Sequence, residues 1–191
     1  MAVILVTGMP GVGKTTIVRR IGDELGRRNV PIAGFYTEEV RNSTSGERIG
    51  FDVVTFSGQR APLAKIQTGQ TRPQGPTVGR YSVCLKEFES LAIAALDKRH
   101  QQSSDGMLLL DEIGKMELKS RAFQESMQAI VGEVAAKKLR FVATIPLKST
   151  GIDLIERLKL VPGCLLFHVK PSNRDAMYEQ IKDACLSVVS K

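Results

Sequence analysis

The sequence predicts an α/β fold in which helices flank a mostly parallel sheet that carries an inserted β-hairpin. Residues 2–7 form a short, continuous apolar run rich in β-branched side chains, which favours a buried strand. Residues 14–28 place apolar side chains at helical spacing. Further strand-like runs alternate with helical patterns along the chain, and this alternation is typical of parallel sheets.

Two strand-like segments in the first third of the chain predict the hairpin. Residues 32–41 and 47–56 are separated by a turn-forming cluster of Asn, Ser, Thr and Gly. The next stretch, 57–79, is rich in Gly, Pro, Gln and Thr and is predicted to be one long loop. We expect a single domain over residues 1–191, with the hairpin and loop inserted at about 38–80.

The rest of the chain predicts strands that alternate with helices. The further strands are expected at 81–85, 107–111, 141–145 and 164–169. Two of the later helices begin with the pattern of a capping box, in which a side chain bonds to the backbone of the first turn. These pairs are Thr150 with Asp153, and Ser172 with Asp175.

The chain carries a formal net charge of +7, but its basic residues are scattered. The densest clusters, 98–100 and 137–140, fall at predicted helix ends, where cations suit the helix dipole, and we expect them to be solvated. Aromatic residues make up only 5% of the chain, which leaves little surface for base stacking. Nucleic acid is therefore not the expected partner, although the positive charge leaves RNA as an alternative.

Cysteine and histidine usage argues against a metal site built from these residues. The three cysteines and two histidines lack ligand spacing, and an odd number of cysteines suits a reducing compartment. No apolar stretch is long enough to cross a membrane, and no targeting sequence is found. We expect a cytoplasmic monomer, with entry into the nucleus left open.

Residues 8–15 match the pattern G-x-x-x-x-G-K-[ST] between a predicted strand and a predicted helix. The glycines let successive backbone N–H groups point at phosphate oxygens, and the helix N-terminus adds positive potential. Lys14 is expected to reach the β- and γ-phosphates, and the Thr15 hydroxyl to bind Mg²⁺. The predicted nucleotide contacts here are Gly8, Met9, Pro10, Gly11, Val12, Gly13, Lys14, Thr15 and Thr16.

An acidic pair follows the apolar strand at 107–110. Asp111 at the end of a buried strand is placed to hold Mg²⁺, directly or through water. Glu112, the next acid, is placed to orient or deprotonate a water near the γ-phosphate. We therefore predict Lys14, Asp111 and Glu112 as catalytic, and Thr15 and Asp111 as metal ligands.

Four motifs in order, GMPGVGKTT, GFYTEEVR, RIGFDVV and DEIGKME, resemble those of the THEP1-type nucleoside-triphosphatase family. The resemblance covers nearly the whole chain. It implies a P-loop NTPase fold and Mg²⁺-dependent hydrolysis of ATP, GTP and other nucleoside triphosphates with loose base choice, and we expect slow turnover. It also implies a second nucleotide-contacting segment, made of Leu110, Asp111, Glu112, Ile113, Gly114 and Lys115.

Several charged residues can each be interpreted in two ways. Glu38, Glu39 and Arg41 end a strand at the ligand-facing edge of the sheet, where they could hold water, metal or phosphate, or form ordinary ion pairs. Arg48 and Arg80 are either surface residues or candidates for an arginine that stabilises the transition state from within the chain.

Three further positions are equally open. Glu117 either acts beside Lys115 near the phosphates or belongs to a helix start. Thr144, polar within an apolar strand, either senses the γ-phosphate or bonds to the sheet backbone. Arg174, beside Asn173, either stacks on the nucleotide base or is part of the cap of the last helix.

Two other functions remain as alternatives. The chain could be a P-loop kinase for a small acceptor, with the stretch 57–79 and its Arg60 and Arg72 as a water-excluding lid. It could also be a binding module whose partner interaction is timed by slow hydrolysis. The acid after the metal-binding aspartate favours hydrolysis over the kinase, and no acceptor pocket is evident in the sequence; the binding module would show large nucleotide-dependent changes in the hairpin or loop.

Overall fold

A computed structural model of the chain describes residues 3–67, 75–101 and 106–189. The strands in these ranges are β1 Val3–Gly8, β2 Ile32–Arg41, β3 Arg48–Thr55, β4 Arg60–Ile66, β5 Thr77–Val78, β6 Tyr81–Val83, β7 Met107–Leu110, β8 Phe141–Pro146 and β9 Leu165–Val169. The α-helices are α1 Lys14–Arg27, α2 Leu85–Asp97, α3 Arg121–Ala135, α4 Asp153–Lys159 and α5 Arg174–Val189. Short 3₁₀ turns lie at Lys98–Gln101 and Glu117–Lys119.

All nine strands belong to one sheet, in the order β5-β6-β4-β3-β2-β7-β8-β1-β9. Strands β2, β7, β8, β1 and β9 run parallel to one another, and we call them the parallel half. Strands β3, β4, β6 and β5 continue the sheet with antiparallel pairing, and we call them the antiparallel extension. The α/β class predicted from the sequence is confirmed.

Strand β2 belongs to both parts of the sheet. Its residues Ile32–Phe35 pair with β7 in parallel, and the continuation Phe35–Arg41 pairs with β3 in the antiparallel sense. The predicted hairpin is therefore present, because β2 and β3 are neighbours joined by a short turn. Since β2 runs beyond the end of β7, the antiparallel extension projects from the carboxyl-end edge of the parallel half, where ligands bind in open α/β sheets.

Helices cover both faces of the sheet and produce two apolar cores. Helices α2, α3 and α4 pack on one face, where Phe35, Phe88 and Phe123 form a ring cluster with centroids 5.5–6.1 Å apart. Helices α1 and α5 pack on the other face around Ile21 and Ile181. Burial of the central strands β1, β7 and β8 on both faces explains why they read as continuous apolar runs.

The prediction of a single loop over 57–79 is wrong. Residues 60–66 form strand β4, which pairs with β3 on one side and β6 on the other. Pro62 made this segment look like a loop, because proline is rare inside sheets. The pairing shifts register between Phe51 and Asp52, opposite Pro62, which is the irregularity at which a strand accepts proline. Arg72, proposed for the lid, lies outside the described residues.

The helix starts differ from the predicted capping boxes. Helix α4 follows Ile152, and no side chain caps it, so the Thr150–Asp153 box is wrong. Helix α5 starts at Arg174. The side chain that bonds to the backbone just before this helix belongs to Asn173 and not to Ser172. The Asn173 carboxamide accepts from the Lys170 N–H at 2.7 Å and donates to the His168 carbonyl at 3.1 Å.

Two arginines of the basic clusters are buried, which corrects the expectation that these clusters are solvated. Arg99 donates to the Glu133 carboxylate at 3.0 Å and to the Leu96 carbonyl at 2.9 Å. Arg140 is only 6% exposed. The remaining basic side chains of both clusters are exposed as expected. No helix in the described ranges has the length and hydropathy needed to span a bilayer.

Candidate nucleotide site

The phosphate loop connects the carboxyl end of β1 to the first turn of α1. Gly8 ends the strand in close contact with β9, because a Cβ atom there would lie 2.5 Å from the Val169 carbonyl oxygen. Gly13 has φ 105° immediately before the helix, a conformation that side-chain-bearing residues rarely adopt. The two glycines therefore allow the tight curve between β1 and α1 that a phosphate-binding loop needs.

Lys14, the first residue of α1, folds back over this loop. Its ammonium group donates to the Gly8 carbonyl at 3.0 Å and to the Met9 carbonyl at 3.3 Å. The residue is only 7% exposed. A cation is therefore held within the curve of the loop, where the predicted triphosphate would lie.

Asp111 lies at the centre of a hydroxyl cluster assembled from three elements. Thr15 of α1 donates to Oδ2 at 2.5 Å, Thr144 of β8 donates to Oδ1 at 2.6 Å, and Thr37 of β2 lies 3.4 Å from Oδ2. Burial raises the pKa of this carboxyl, and the Thr144 and Thr15 hydrogen bonds oppose that rise. The Thr144 hydroxyl therefore bonds to the aspartate rather than to the sheet backbone.

Glu112 is half-buried and follows Asp111 through a cis peptide bond. Burial and the neighbouring Asp111 charge raise the pKa of Glu112, while the Lys14 charge lowers it. The side chain lines a cleft of about 560 Å³. That cleft is lined by Pro10, Gly11, Gly13, Lys14, Thr15, Thr16, Arg19, Thr37, Glu38, Glu39, Arg48, Phe51 and Glu112.

Charged residues of β2, α1 and the antiparallel extension form ion pairs along the rim of this cleft. Glu38 pairs with Arg19 at 2.8 Å and also with Arg60. Glu39 pairs with Arg41 at 2.5 Å and also with Arg48. The ion-pair interpretation of Glu38, Glu39 and Arg41 is therefore confirmed, although both glutamates also face the cleft.

The two arginine candidates for transition-state contact are placed differently. Arg48 lines the cleft, with its guanidinium carbon 5.3 Å from the centre of the Phe51 ring. Arg80 instead donates to the Tyr81 hydroxyl at 3.3–3.4 Å, and it is not among the described residues that line the cleft. Arg48 is therefore the candidate that the structure places at the cleft.

A shallow pocket beside the phosphate loop contains Arg174. The pocket measures about 220 Å³ and shares Gly13 and Thr16 with the cleft. The Arg174 side chain passes within 3.1 Å of where a Gly13 Cβ would stand. Across the pocket, the Arg20 guanidinium lies 3.6 Å from the centre of the Tyr178 ring. Arg20 and Tyr178 carry no motif, so sequence reasoning missed them.

The segment 110–115 divides between the cleft and the interior. Leu110 and Ile113 are fully buried in the core, whereas Glu112 reaches the cleft. Gly114 and Lys115 line a second cavity of about 290 Å³ on the other side of Glu112.

Glu117 lies in that second cavity and is only 4% exposed. It accepts a hydrogen bond from the Gly114 N–H at 3.1 Å. Burial raises the pKa of Glu117 to about 8. The carboxyl is therefore an interior group of the site, and Glu117 begins the 3₁₀ turn Glu117–Lys119, as the helix-start interpretation predicts.

Comparison with known proteins agrees with this arrangement. A sequence model of the NTPase family matches residues 3–182. This chain belongs to the NTPase family. It is 36% identical to the nucleoside-triphosphatase THEP1 of Aquifex aeolicus over 181 residues, which cover 93% of this chain and 96% of the relative. It is 39% identical to the human cancer-related nucleoside-triphosphatase over 184 residues, or 93% of each chain.

Two solved structures of NTPase family members have the same fold. The crystal structure of THEP1 from Aquifex aeolicus superposes with a TM-score of 0.80 at 34% identity and covers 99% of both chains. The solution structure of the human cancer-related nucleoside triphosphatase gives a TM-score of 0.78 at 37% identity and covers 98% of both chains. The P-loop NTPase fold expected from the four motifs is therefore confirmed.

Proposed function

We propose that this NTPase hydrolyses the β–γ bond of nucleoside triphosphates with Mg²⁺ bound at Thr15 and Asp111, and that Glu112 handles the attacking water. The observation that carries the proposal is the 2.5 Å hydrogen bond between the Thr15 hydroxyl and the Asp111 carboxylate at the mouth of the phosphate loop. It brings the two predicted metal ligands together across 96 residues of sequence. Family membership supports the same reaction.

The donor set fits Mg²⁺. This ion prefers oxygen ligands, keeps several waters and needs only one or two protein groups beside the phosphates. Within the described ranges there is no cluster of three or more His, Cys, Asp or Glu side chains for a metal, which argues against an all-protein cage. When bound, Mg²⁺ would neutralise charge on the β- and γ-phosphates.

The protein groups divide the remaining work. Lys14 holds a positive charge against the β- and γ-phosphates, which lowers the cost of charge that develops on the leaving group. Glu112 accepts a hydrogen bond or a proton from the attacking water, because it lines the cleft beyond Asp111. Thr144 keeps the Asp111 carboxylate in a fixed orientation.

Loose base choice follows from the groups near the shallow pocket. Arg174 and Arg20 are exposed, and the Arg20 guanidinium lies over the buried Tyr178 ring. We infer that these guanidinium planes stack on any base, and stacking reads base edges poorly. We therefore infer that ATP, GTP and other triphosphates are accepted. Slow turnover stays a prediction.

Two isosteric variants test the roles of the acidic pair. Glu112→Gln should retain nucleotide affinity and Mg²⁺ dependence but lower turnover by about 10²- to 10⁴-fold, since an amide cannot take a proton. Asp111→Asn should move half-maximal activity to higher Mg²⁺ concentration, because it removes charge from the metal site. Phosphate release from ATP, GTP, CTP and UTP across a Mg²⁺ titration measures both effects.

A matched control is Glu125→Gln, an exposed acid on α3 that pairs with Arg121. It should leave phosphate release unchanged. Wild-type turnover by Glu112→Gln at saturating Mg²⁺ would contradict the role of Glu112. An unchanged Mg²⁺ requirement in Asp111→Asn would contradict the metal site.

A further inference from the structure

The second cavity adjoins the phosphate cleft at Glu112. The two spaces share Thr37, Phe51 and Glu112, so Glu112 borders both. With a volume of about 290 Å³, the second cavity is close to the lower limit of ordinary small-molecule sites, which run from about 300 to 1,000 Å³. A ligand there would lie next to the side of the γ-phosphate at which Glu112 acts.

The lining of this cavity is mostly apolar, with a few polar groups. Its apolar members are Phe51, Leu63, Val78, Met116, Pro146 and Ile152. Glu112 and Glu117 provide carboxyl groups, and Lys115 and Lys148, both exposed, provide positive charge. Apolar walls with a few polar groups are typical of sites that bind and orient a small organic molecule.

Hydrolysis alone does not account for this cavity. A water molecule needs only Glu112, and a chamber with apolar walls gives water few partners. Three of the apolar walls, Phe51, Leu63 and Val78, belong to strands β3, β4 and β5. The antiparallel extension therefore supplies one apolar wall of the second cavity, next to Glu112.

We propose that the second cavity binds a small alcohol that has an apolar ring and an anionic group, and that this alcohol accepts the γ-phosphoryl group in place of water. The ring would contact Phe51, Leu63 and Val78, and the anion would meet Lys115 or Lys148. The inference rests on the proposed function, since both reactions use the same nucleotide and Glu112.

The transfer balances without any further reactant. The alcohol oxygen attacks the γ-phosphorus and forms the new O–P bond. The bond from the γ-phosphorus to the β–γ bridging oxygen breaks, and the diphosphate leaves with that electron pair. The hydroxyl proton passes to Glu112 and then to solvent. A nucleoside triphosphate and an alcohol thus give a nucleoside diphosphate, a phosphate monoester and one proton.

The probe is 4-(hydroxymethyl)benzoate, which has a ring, a carboxylate and a primary alcohol. Its matched control, 4-methylbenzoate, lacks only the hydroxyl oxygen. We expect saturation-transfer NMR to detect binding of both compounds to the wild-type chain. With Mg²⁺ and ATP labelled at the γ-phosphate, only the alcohol should yield a labelled monoester, and 4-methylbenzoate should inhibit its formation.

Val78→Phe tests the location, since the larger ring fills the cavity away from the phosphate loop. It should release phosphate from ATP at the wild-type rate without probe, while binding and phosphorylation of the probe fall at least about tenfold. Val189→Phe makes the same exchange at the end of α5, on the opposite face of the sheet, and should leave both reactions unchanged.

The outcomes separate this inference from the proposed function. Phosphate release without probe binding or monoester would overturn the inference and leave the hydrolase standing. Wild-type probe phosphorylation by Val78→Phe would also overturn it, because the probe would then bind elsewhere. Monoester formation without phosphate release would support the inference and contradict hydrolysis. If folded, nucleotide-bound protein yields neither free phosphate nor labelled monoester, both the inference and the proposed function are overturned.

Discussion

The parallel half and the antiparallel extension place their polar groups under opposite conditions. At the carboxyl-end edge of the parallel half, Lys14, Asp111 and Thr144 are at most 7% exposed, and their hydrogen bonds join them to carbonyl, hydroxyl and carboxylate groups of the protein. In the extension, the ion-paired side chains of Arg48 and Arg60 are 37% and 48% exposed. One region therefore fixes its polar groups in the interior, whereas the other arranges them at the surface.

Because of this difference, the polar groups of the parallel half have a fixed geometry, whereas those of the extension can rearrange. A buried polar group that loses its partner costs about 1–3 kcal/mol, so the groups around Asp111 hold their positions. An exposed ion pair contributes about 0–1 kcal/mol, so it can exchange partners when a charged ligand arrives. The chemistry that needs a fixed metal and phosphate position lies in the parallel half, and the rim that meets solvent and ligand lies in the extension.

The largest expected effect is that of Lys14→Ala, in the parallel half. Removing the cation should lower hydrolysis by about 10³-fold or more, because charge on the transferring phosphoryl group is no longer stabilised. It should also weaken ATP binding more than ADP binding, as measured by calorimetry. The exposed Lys119→Ala should match wild type. Equal loss of ATP and ADP affinity would show that Lys14 does not reach the γ-phosphate.

A smaller effect is expected for the buried acid Glu117, which is 4% exposed. Its pKa rises from 4.5 to about 8 on folding, so the folded protein keeps a proton that the unfolded chain releases. The free energy of unfolding should therefore fall as pH rises from about 5 to 8, by at most about 1.4 kcal/mol per pH unit, and this fall should level off above 8. Glu117→Gln removes the titrating carboxyl group, so its free energy of unfolding should lack this fall with pH.

Urea unfolding at pH 5 to 9 in EDTA measures this difference. Glutamine keeps an acceptor for the Gly114 N–H, so Glu117→Gln should gain stability relative to wild type as pH rises. The exposed Glu125→Gln is the control and should run parallel to wild type. Parallel curves for Glu117→Gln and wild type would mean that Glu117 titrates like a solvated acid.

The smallest effect is expected in the extension. Arg60→Ala breaks the ion pairs with Glu38 and Asp52, and it should change the free energy of unfolding by no more than about 1 kcal/mol. Arg121→Ala, which breaks an exposed pair on α3, is the matched control. Hydrolysis should stay within about twofold of wild type, since Arg60 does not line the cleft. If Arg60→Ala lost hydrolysis, the extension would also carry groups needed for catalysis, and the contrast between the two regions would be wrong.

The parallel half could be predicted from the sequence because short local sequence patterns identify its strands and its phosphate loop. Buried parallel strands read as unbroken apolar runs, and the phosphate loop has a fixed spacing between glycine and lysine. The motif also placed Asp111 at a strand end beside that loop. No local pattern shows that Thr144 donates to Asp111, because that contact joins residues 33 apart through the pairing of neighbouring strands.

The extension was harder to predict because tertiary contacts decide its structure. Strand β4 contains Pro62, and it is a strand only because β3 and β6 lie on either side of it. The second cavity draws on Phe51, Leu63 and Ile152, which lie in separate elements and look like ordinary core residues in the sequence. Predicting such a cavity requires the packing of the whole sheet.

The position of β1 within the sheet governs when this protein can become active during its synthesis. Val3–Gly8 lies between β8 and β9, so its neighbours are residues 141–146 and 165–169. A ribosome that has released only the first hundred residues has made the phosphate loop but neither strand that supports it. In a nascent chain, β1 therefore has no strand partner until β8 has emerged, and it lacks its second partner until β9 has followed.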